Sequence, residues 1–132
     1  MLEAHQQRSQ GFKDIDRSNR DSGFDKRDYV AKLRWQAPET ADIQQALELK
    51  LEHSSEVSDE TYLGLTDRDF ERDANRRYGM SDIDQMDNDR DAVSLRHTLV
   101  FDENSQLNSV VYRNEFQRNW YKLASIGGQG IG

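Results

Sequence analysis

The strongest regularity along the chain is an alternation of hydrophobic and polar positions with a period of two. Residues 29–35 read Tyr-Val-Ala-Lys-Leu-Arg-Trp. In an extended strand Tyr29, Ala31, Leu33 and Trp35 share one face, and Val30, Lys32 and Arg34 share the other. Residues 47–53 repeat the pattern, with Leu47, Leu49 and Leu51 opposite Glu48, Lys50 and Glu52. In residues 93–101, Val93, Leu95, Leu99 and Phe101 fall on one side. A noisier segment follows over 107–116 around Val110, Val111 and Tyr112; its two valines point to opposite sides, so its apolar face stays open. Helix competes over 40–53, where Asp42 could cap and Ile43, Ala46, Leu47 and Lys50 fall at helical spacing. A helix would leave Leu47, Leu49 and Leu51 no common face, so strand is the better template. The expectation is an all-β chain of about five antiparallel amphipathic strands, near 2–8, 26–36, 44–54, 91–102 and 106–118.

The connections between these strands alternate in length. Ala37-Pro38-Glu39-Thr40 and Asp102-Glu103-Asn104-Ser105-Gln106 are short turns, whereas the stretches near 9–24 and 55–90 are long and polar. Such alternation gathers the long loops at one end of a sheet, as in outer-membrane barrels, and a compact soluble domain rarely holds a loop of roughly 35 residues. The strand faces agree: one is apolar, and the other carries Lys32, Arg34, Glu48, Lys50, Glu52 and Arg96. In a large barrel the first face meets lipid and the second a wet lumen. The expected lipid-facing residues are Tyr29, Leu33, Trp35, Leu47, Leu49, Leu51, Val93, Leu95, Leu99 and Phe101. Tyr29 and Trp35 lie roughly 20 Å apart at strand rise, which sets one aromatic near each membrane interface. A soluble β-sandwich alternates in the same way, so alternation by itself leaves both architectures open.

Composition narrows the choice. Charged residues make up 33% of the 132 residues and hydrophobic ones 34%, with a mean hydropathy of −1.03, too little apolar material for an ordinary buried core. An acidic disordered chain would share this composition but not the repeated alternation. The net charge of −7, with twelve acidic residues against five arginines between Ser55 and Asp91, argues against nucleic acid as a partner. The absence of cysteine excludes disulfides and thiolate metal sites. No apolar run reaches helix-spanning length, and Met1-Leu2-Glu3-Ala4-His5 does not open a signal peptide.

Motifs of catalysis and metal binding are weak. Asp87-Asn88-Asp89-Arg90-Asp91 has carboxylates at the first, third and fifth positions of a calcium loop. Ala92 stands where glycine should turn that loop, and Thr98 where a bidentate glutamate should close it. His5, His53 and His97 show no ligand spacing, and no nucleophile elbow, phosphate loop or zinc-protease motif occurs. The expectation is therefore a non-enzyme with no catalytic residue and no metal ligand.

Residues 59–66, Asp-Glu-Thr-Tyr-Leu-Gly-Leu-Thr, followed by Asp67, Asp69 and Phe70, resemble a barrel segment of TonB-dependent outer-membrane receptors, closest to the ferric dicitrate type. Asn75-Arg76-Arg77-Tyr78-Gly79, Met86-Asp87, Arg8-Ser9-Gln10-Gly11-Phe12 with Asp14, Ser22-Gly23-Phe24-Asp25-Lys26 and Arg118-Asn119-Trp120-Tyr121-Lys122-Leu123 extend the likeness in order along nearly the whole chain. The resemblance implies part of a 22-stranded barrel in the outer membrane of a Gram-negative bacterium, with extracellular loops near 9–24 and 55–90. The intact receptor would import a ferric chelate (ferric citrate or a siderophore) with energy delivered by TonB, in partnership with a plug domain and outer-membrane lipid. No covalently bound cofactor is implied.

This chain has neither plug nor TonB-contact segment, and it ends in Gly127-Gly128-Gln129-Gly130-Ile131-Gly132 where complete barrels end in an aromatic. The expectation is thus an internal fragment. Arginine forks suit anionic chelates, and among Arg68, Arg72, Arg76 and Arg77 the expected ligand contacts are Arg76 and Arg77, because they lie in the resembling segment. The competing role for all four is to offset their acidic neighbours. The rival to the receptor reading is a small soluble β-sheet protein that binds a partner through its long acidic loop. A barrel piece should leave Leu47, Leu49, Leu51, Leu95 and Leu99 uncovered; a soluble domain should cover them.

Overall fold

The structure is a computed structural model that describes residues 1–130. Its strands are β1 (Leu2–Ser9), β2 (Asp14–Ile15), β3 (Phe24–Gln36), β4 (Gln44–Ser58), β5 (Arg76–Arg77), β6 (Gln85–Asp102), β7 (Ser105–Tyr121), β8 (Ser125–Ile126) and β9 (Gln129–Gly130). A short helix α1 (Asp67–Arg72) and a single 3-10 turn (Gly79–Ser81) complete the elements. The five long strands form one sheet in the order β1-β3-β4-β6-β7, a mostly antiparallel, all-β arrangement. The short strands β2 and β5 pair in parallel, and β8 and β9 pair as an antiparallel hairpin. Gly127 and Gly128 make that hairpin's turn at φ 59° and 83°, a conformation that a Cβ would disfavour at both positions.

Residues 40–53 form strand from Gln44 onward, and Asp42 and Ile43 lie in the preceding turn. That turn is closed by Ala41 N donating to Pro38 O at 2.9 Å and by the Gln44 side-chain amide donating to three turn carbonyls at 3.1–3.2 Å. At the other short turn the Asp102 carboxylate accepts from Asn104 N at 2.8 Å, leaving only Glu103 and Asn104 between strands. Two strands run further than their apolar pattern. β4 continues to Ser58 and β6 begins at Gln85, so the long connection spans residues 59–84. Ser54–Glu56 and Asp87–Asp91 have no clean apolar face to announce a strand, but their backbone groups need partners regardless of side chain.

By contacts the chain divides into two units. The first comprises Met1–His5, Asp28–Ser54 and Asp89–Phe116. Reciprocal backbone bonds join Met1 and Lys32, at 2.8 and 2.9 Å. Tyr29 stacks on His53 with centroids 6.2 Å apart, His53 Nδ1 lies 2.8 Å from the Asp91 carboxylate, and His97 Nε2 lies 3.1 Å from Gln45 Oε1. Arg90 donates to Asn114 at 3.0 Å and Thr98 to Asn108 at 2.8 Å. With side chains alternating along each strand, these contacts set the odd-numbered residues of β3, β4, β6 and β7 on one face. All ten expected lipid-facing residues lie on it. Leu107 and Val111 join them, which resolves the orientation of the last long strand; Val110, Tyr112 and Phe116 lie opposite.

This apolar face is bare. Leu33 is 64% exposed, Trp35 51%, Leu51 44% and Leu95 42%, while Leu49 and Leu99 are half-buried by their neighbours in the sheet. Among the described residues the buried hydrophobics are Ile15 and Ala37 alone, so no second layer closes over the leucines.

The second unit comprises Gln6–Arg27, Ser55–Asn88 and the segment from Gln117 onward. Its interior is polar: Ser58, Arg77, Ser81 and Asp84 are buried with Ile15. The two long connections, separate loops in the sequence pattern, fold onto each other there. Asp14 pairs with Arg76 and Ile15 with Arg77, with Asp14 N donating to Asn75 O at 3.0 Å and Asp16 N to Arg77 O at 2.9 Å. Glycine permits two close approaches: a Cβ on Gly23 would sit 1.8 Å from Ser9 O, and one on Gly79 2.4 Å from Asp16 O.

Candidate functional site

The two arginines singled out by sequence form β5, held between β2 and the rest of the 59–84 segment. Arg76 turns its guanidinium edge to Asp16, Nε lying 2.9 Å from Oδ1 and Nη2 2.8 Å from Oδ2. Its remaining nitrogen, Nη1, lies 3.2 Å from Asp69 Oδ1, and the group also covers the Tyr78 ring at 5.1 Å. Asp69 reaches this position because Thr66 caps α1, its hydroxyl accepting from Asp69 N at 3.3 Å. The Tyr78 hydroxyl donates to Asp69 Oδ2 at 2.6 Å and accepts from Thr66 N at 3.2 Å. The Arg76 hydrogen bonds hold the Asp16 carboxyl below its ordinary range; for Asp69 the Tyr78 hydroxyl is the principal cause. The same Asp16 bonds push Arg76 up.

Arg77 points inward and is 4% exposed. Its Nε donates to Ser81 Oγ at 2.9 Å, and its other nitrogens donate to the carbonyls of Asp59 and Ser81. Burial pushes its pKa down, while nearby Asp84 and Asp59 counter that effect. Asp84, buried too, accepts from Thr61 Oγ1 at 2.7 Å and from Leu123 N at 2.8 Å. Ser18 Oγ closes the network onto Asp82 at 2.6 Å.

A recess of about 410 Å³ opens beside Arg76, lined by Asp16, Arg17, Arg76, Tyr78, Met80 and Asp82 among others. Two cations there face two carboxylates, so the recess carries no net charge of its own. Arg76 is half-buried with its donors engaged, and Arg77 is buried within the unit. In this conformation both act first as the polar fasteners of the loop unit. The residues that sequence reading passed over are their partners, Asp16, Asp69 and Asp84. Their selection depends on contacts between positions 60 apart in the Arg76–Asp16 case, which no local pattern encodes. Arg68 and Arg72 lie exposed on α1. Asp87, Asp89 and Asp91 are strand residues of β6, so their calcium-loop spacing is not folded as a loop.

No family model, curated protein or solved structure matches this chain.

Proposed function

We propose that the chain is part of the wall and mouth of a TonB-dependent outer-membrane receptor barrel, and that the intact receptor binds and imports an anionic ferric chelate. The observation that carries this reading is the bare apolar face of a single-layer sheet. Transfer of such a face out of water stabilises by about 25 cal/mol per Å², and lipid is the one solvent that would cover it without a second protein layer.

Strand length supports the same reading. A transmembrane β-strand needs about 9–11 residues, and β3, β4, β6 and β7 run from 13 to 18. The apolar stretch on β3 is bounded by Tyr29 and Trp35, and that on β6 ends at Phe101, as aromatic girdles would require. His53, Asp91, Arg113 and Glu115 would mark the polar rim of the band. The edge strands β1 and β7 have one neighbour each in the sheet, which suits continuation into further barrel strands. In the receptor, TonB and a plug domain are the proposed partners, and the loop unit would contribute to the outer mouth. Arg76 and Arg77 then shape that mouth, and would contact a chelate only if Asp16 and Asp69 yielded to its carboxylates.

The test is reconstitution of the chain with lipid vesicles and with neutral buffer in parallel. The proposal expects stable sheet only with lipid or detergent; a monodisperse, cooperatively folded chain in plain buffer would reject it in favour of the soluble binding protein.

A further inference from the structure

The edge strand β7 carries a pattern of charge and rings that is complementary to itself. Residues 112–116 read Tyr-Arg-Asn-Glu-Phe, an aromatic, a cation, a neutral amide, an anion and an aromatic, with Asn114 at the centre. Arg113 and Glu115 lie on the odd-numbered face and already touch, Arg113 Nη2 donating to Glu115 Oε1. Tyr112, Asn114 and Phe116 lie on the other face, where Asn114 Oδ1 accepts from Arg90 at 3.0 Å. Both rings are open to solvent, Tyr112 being 76% exposed and Phe116 56%.

β7 has β6 as its one neighbour in the sheet, so the backbone donors and acceptors of its outer edge face no strand among the described residues. Such an edge is a template for pairing unless it is short or is blunted by lysine or proline. β7 is 17 residues long and contains neither.

We infer that this edge pairs antiparallel with the β7 edge of a second copy of the chain, about a two-fold axis through Asn114 and perpendicular to the sheet. Each copy then presents the same strand to the other, as a closed two-fold dimer requires. Arg113 of one copy stands opposite Glu115 of the second copy, and Tyr112 opposite Phe116. Directly opposed ion pairs and aromatic pairs are the units that stabilise antiparallel strands. An axis on a residue keeps odd-numbered positions opposite odd-numbered ones, so the apolar face runs unbroken from one five-stranded sheet into the next. The charges of β7 select this register, because Glu115 and Arg118, its other opposite pair, are centred on no residue. The same holds for Glu3 and Arg8 on the β1 edge. The inference does not rest on the receptor reading; in a longer chain a following strand would compete for the same edge.

The experiment uses the full chain in neutral detergent, with the protein mass of the complex read by light scattering. The chain lacks cysteine, so Asn114→Cys sets a single thiol on the axis, where opposed strand residues stand about 4.5–5.5 Å apart, within disulfide reach. Mild oxidation is expected to give a covalent dimer with Asn114→Cys, and none with Leu2→Cys on the β1 edge or Leu33→Cys on the apolar face. Arg113→Glu should weaken the dimer about tenfold, and Arg113→Glu combined with Glu115→Arg should restore it. Far-UV circular dichroism on each variant checks that the sheet persists. A monomer at every concentration would overturn the inference and leave the edge to a following strand. Cross-linking through Leu2 or Leu33 in place of Asn114, or a dimer indifferent to the charge swap, would overturn it too. Failure of the receptor reading is seen separately, as a cooperative fold in plain buffer.

Discussion

Arg76 holds Asp16 through two side-by-side hydrogen bonds, 2.9 and 2.8 Å long, across 60 positions of sequence. The pair ties the two longest connections into one body. Its partner strand, β2, is only two residues long and could not persist on backbone pairing alone. Asp16→Asn should therefore raise hydrogen-exchange rates at the Asp14, Asp16 and Arg77 amides together while leaving those of β3 and β6 unchanged. Unaltered exchange at those amides would show that the backbone ladder is sufficient.

The same pair gives the loop unit an acid limit. Asp16 and Asp69 both have carboxyls held below their ordinary range. Their contribution is present above the unfolded carboxylate value, about 3.9, and is lost as pH falls through the lower folded values. Acid titration followed by exchange or tryptophan fluorescence should show the loop unit loosening below about pH 4. Loss of the unit on raising pH from 5 to 8 would contradict this.

Arg77→Met removes three donors and leaves the buried Ser81 and the half-buried Asp59 carbonyl without them. The cost should be on the order of 3 kcal/mol, larger than for the half-buried Arg76. Urea unfolding monitored by fluorescence in a Trp35→Phe background measures it, because the remaining Trp120 ring packs tilted against Tyr62 within the same unit, centroids 4.5 Å apart.

Glycine substitutions offer a matched comparison. Ala at Gly79 brings a Cβ to within 2.4 Å of the Asp16 carbonyl, whereas at Gly64 nothing lies within 4 Å. Gly79→Ala should destabilise the loop unit by about 1–3 kcal/mol, and Gly64→Ala should change it by less than about 0.5 kcal/mol. Equal effects at both sites, measured by denaturant unfolding, would contradict the close approach.

The sheet was largely legible in the sequence because its strands keep one apolar face in strict alternation, as Leu47, Leu49 and Leu51 do. Where that pattern lapses, legibility lapses with it. Asp87–Arg90 read as loop yet lie in β6, since a polar strand is specified by its neighbours and not by its own side chains. The face of β7 could not be chosen from Val110 and Val111, and emerges only from the Arg90–Asn114 and Thr98–Asn108 contacts. The loop site was legible only in part. Arg76 and Arg77 stand out locally, but the pairings of Arg76 with Asp16, 60 positions away, and of Arg77 with the Asp59 carbonyl, 18 away, are long-range outcomes.

The central claim is that the odd-numbered face of β3, β4 and β6 meets lipid. The chain has no cysteine, so single cysteines can be introduced one at a time from Tyr29 to Trp35 and from Val93 to Phe101, spin-labelled, and reconstituted in vesicles. The account predicts that accessibility to oxygen alternates with a period of two, high at Leu33 and Leu95 and low at Lys32 and Ser94, with the water-soluble nickel reagent showing the opposite phase. Equal access of the nickel reagent to both phases would contradict it.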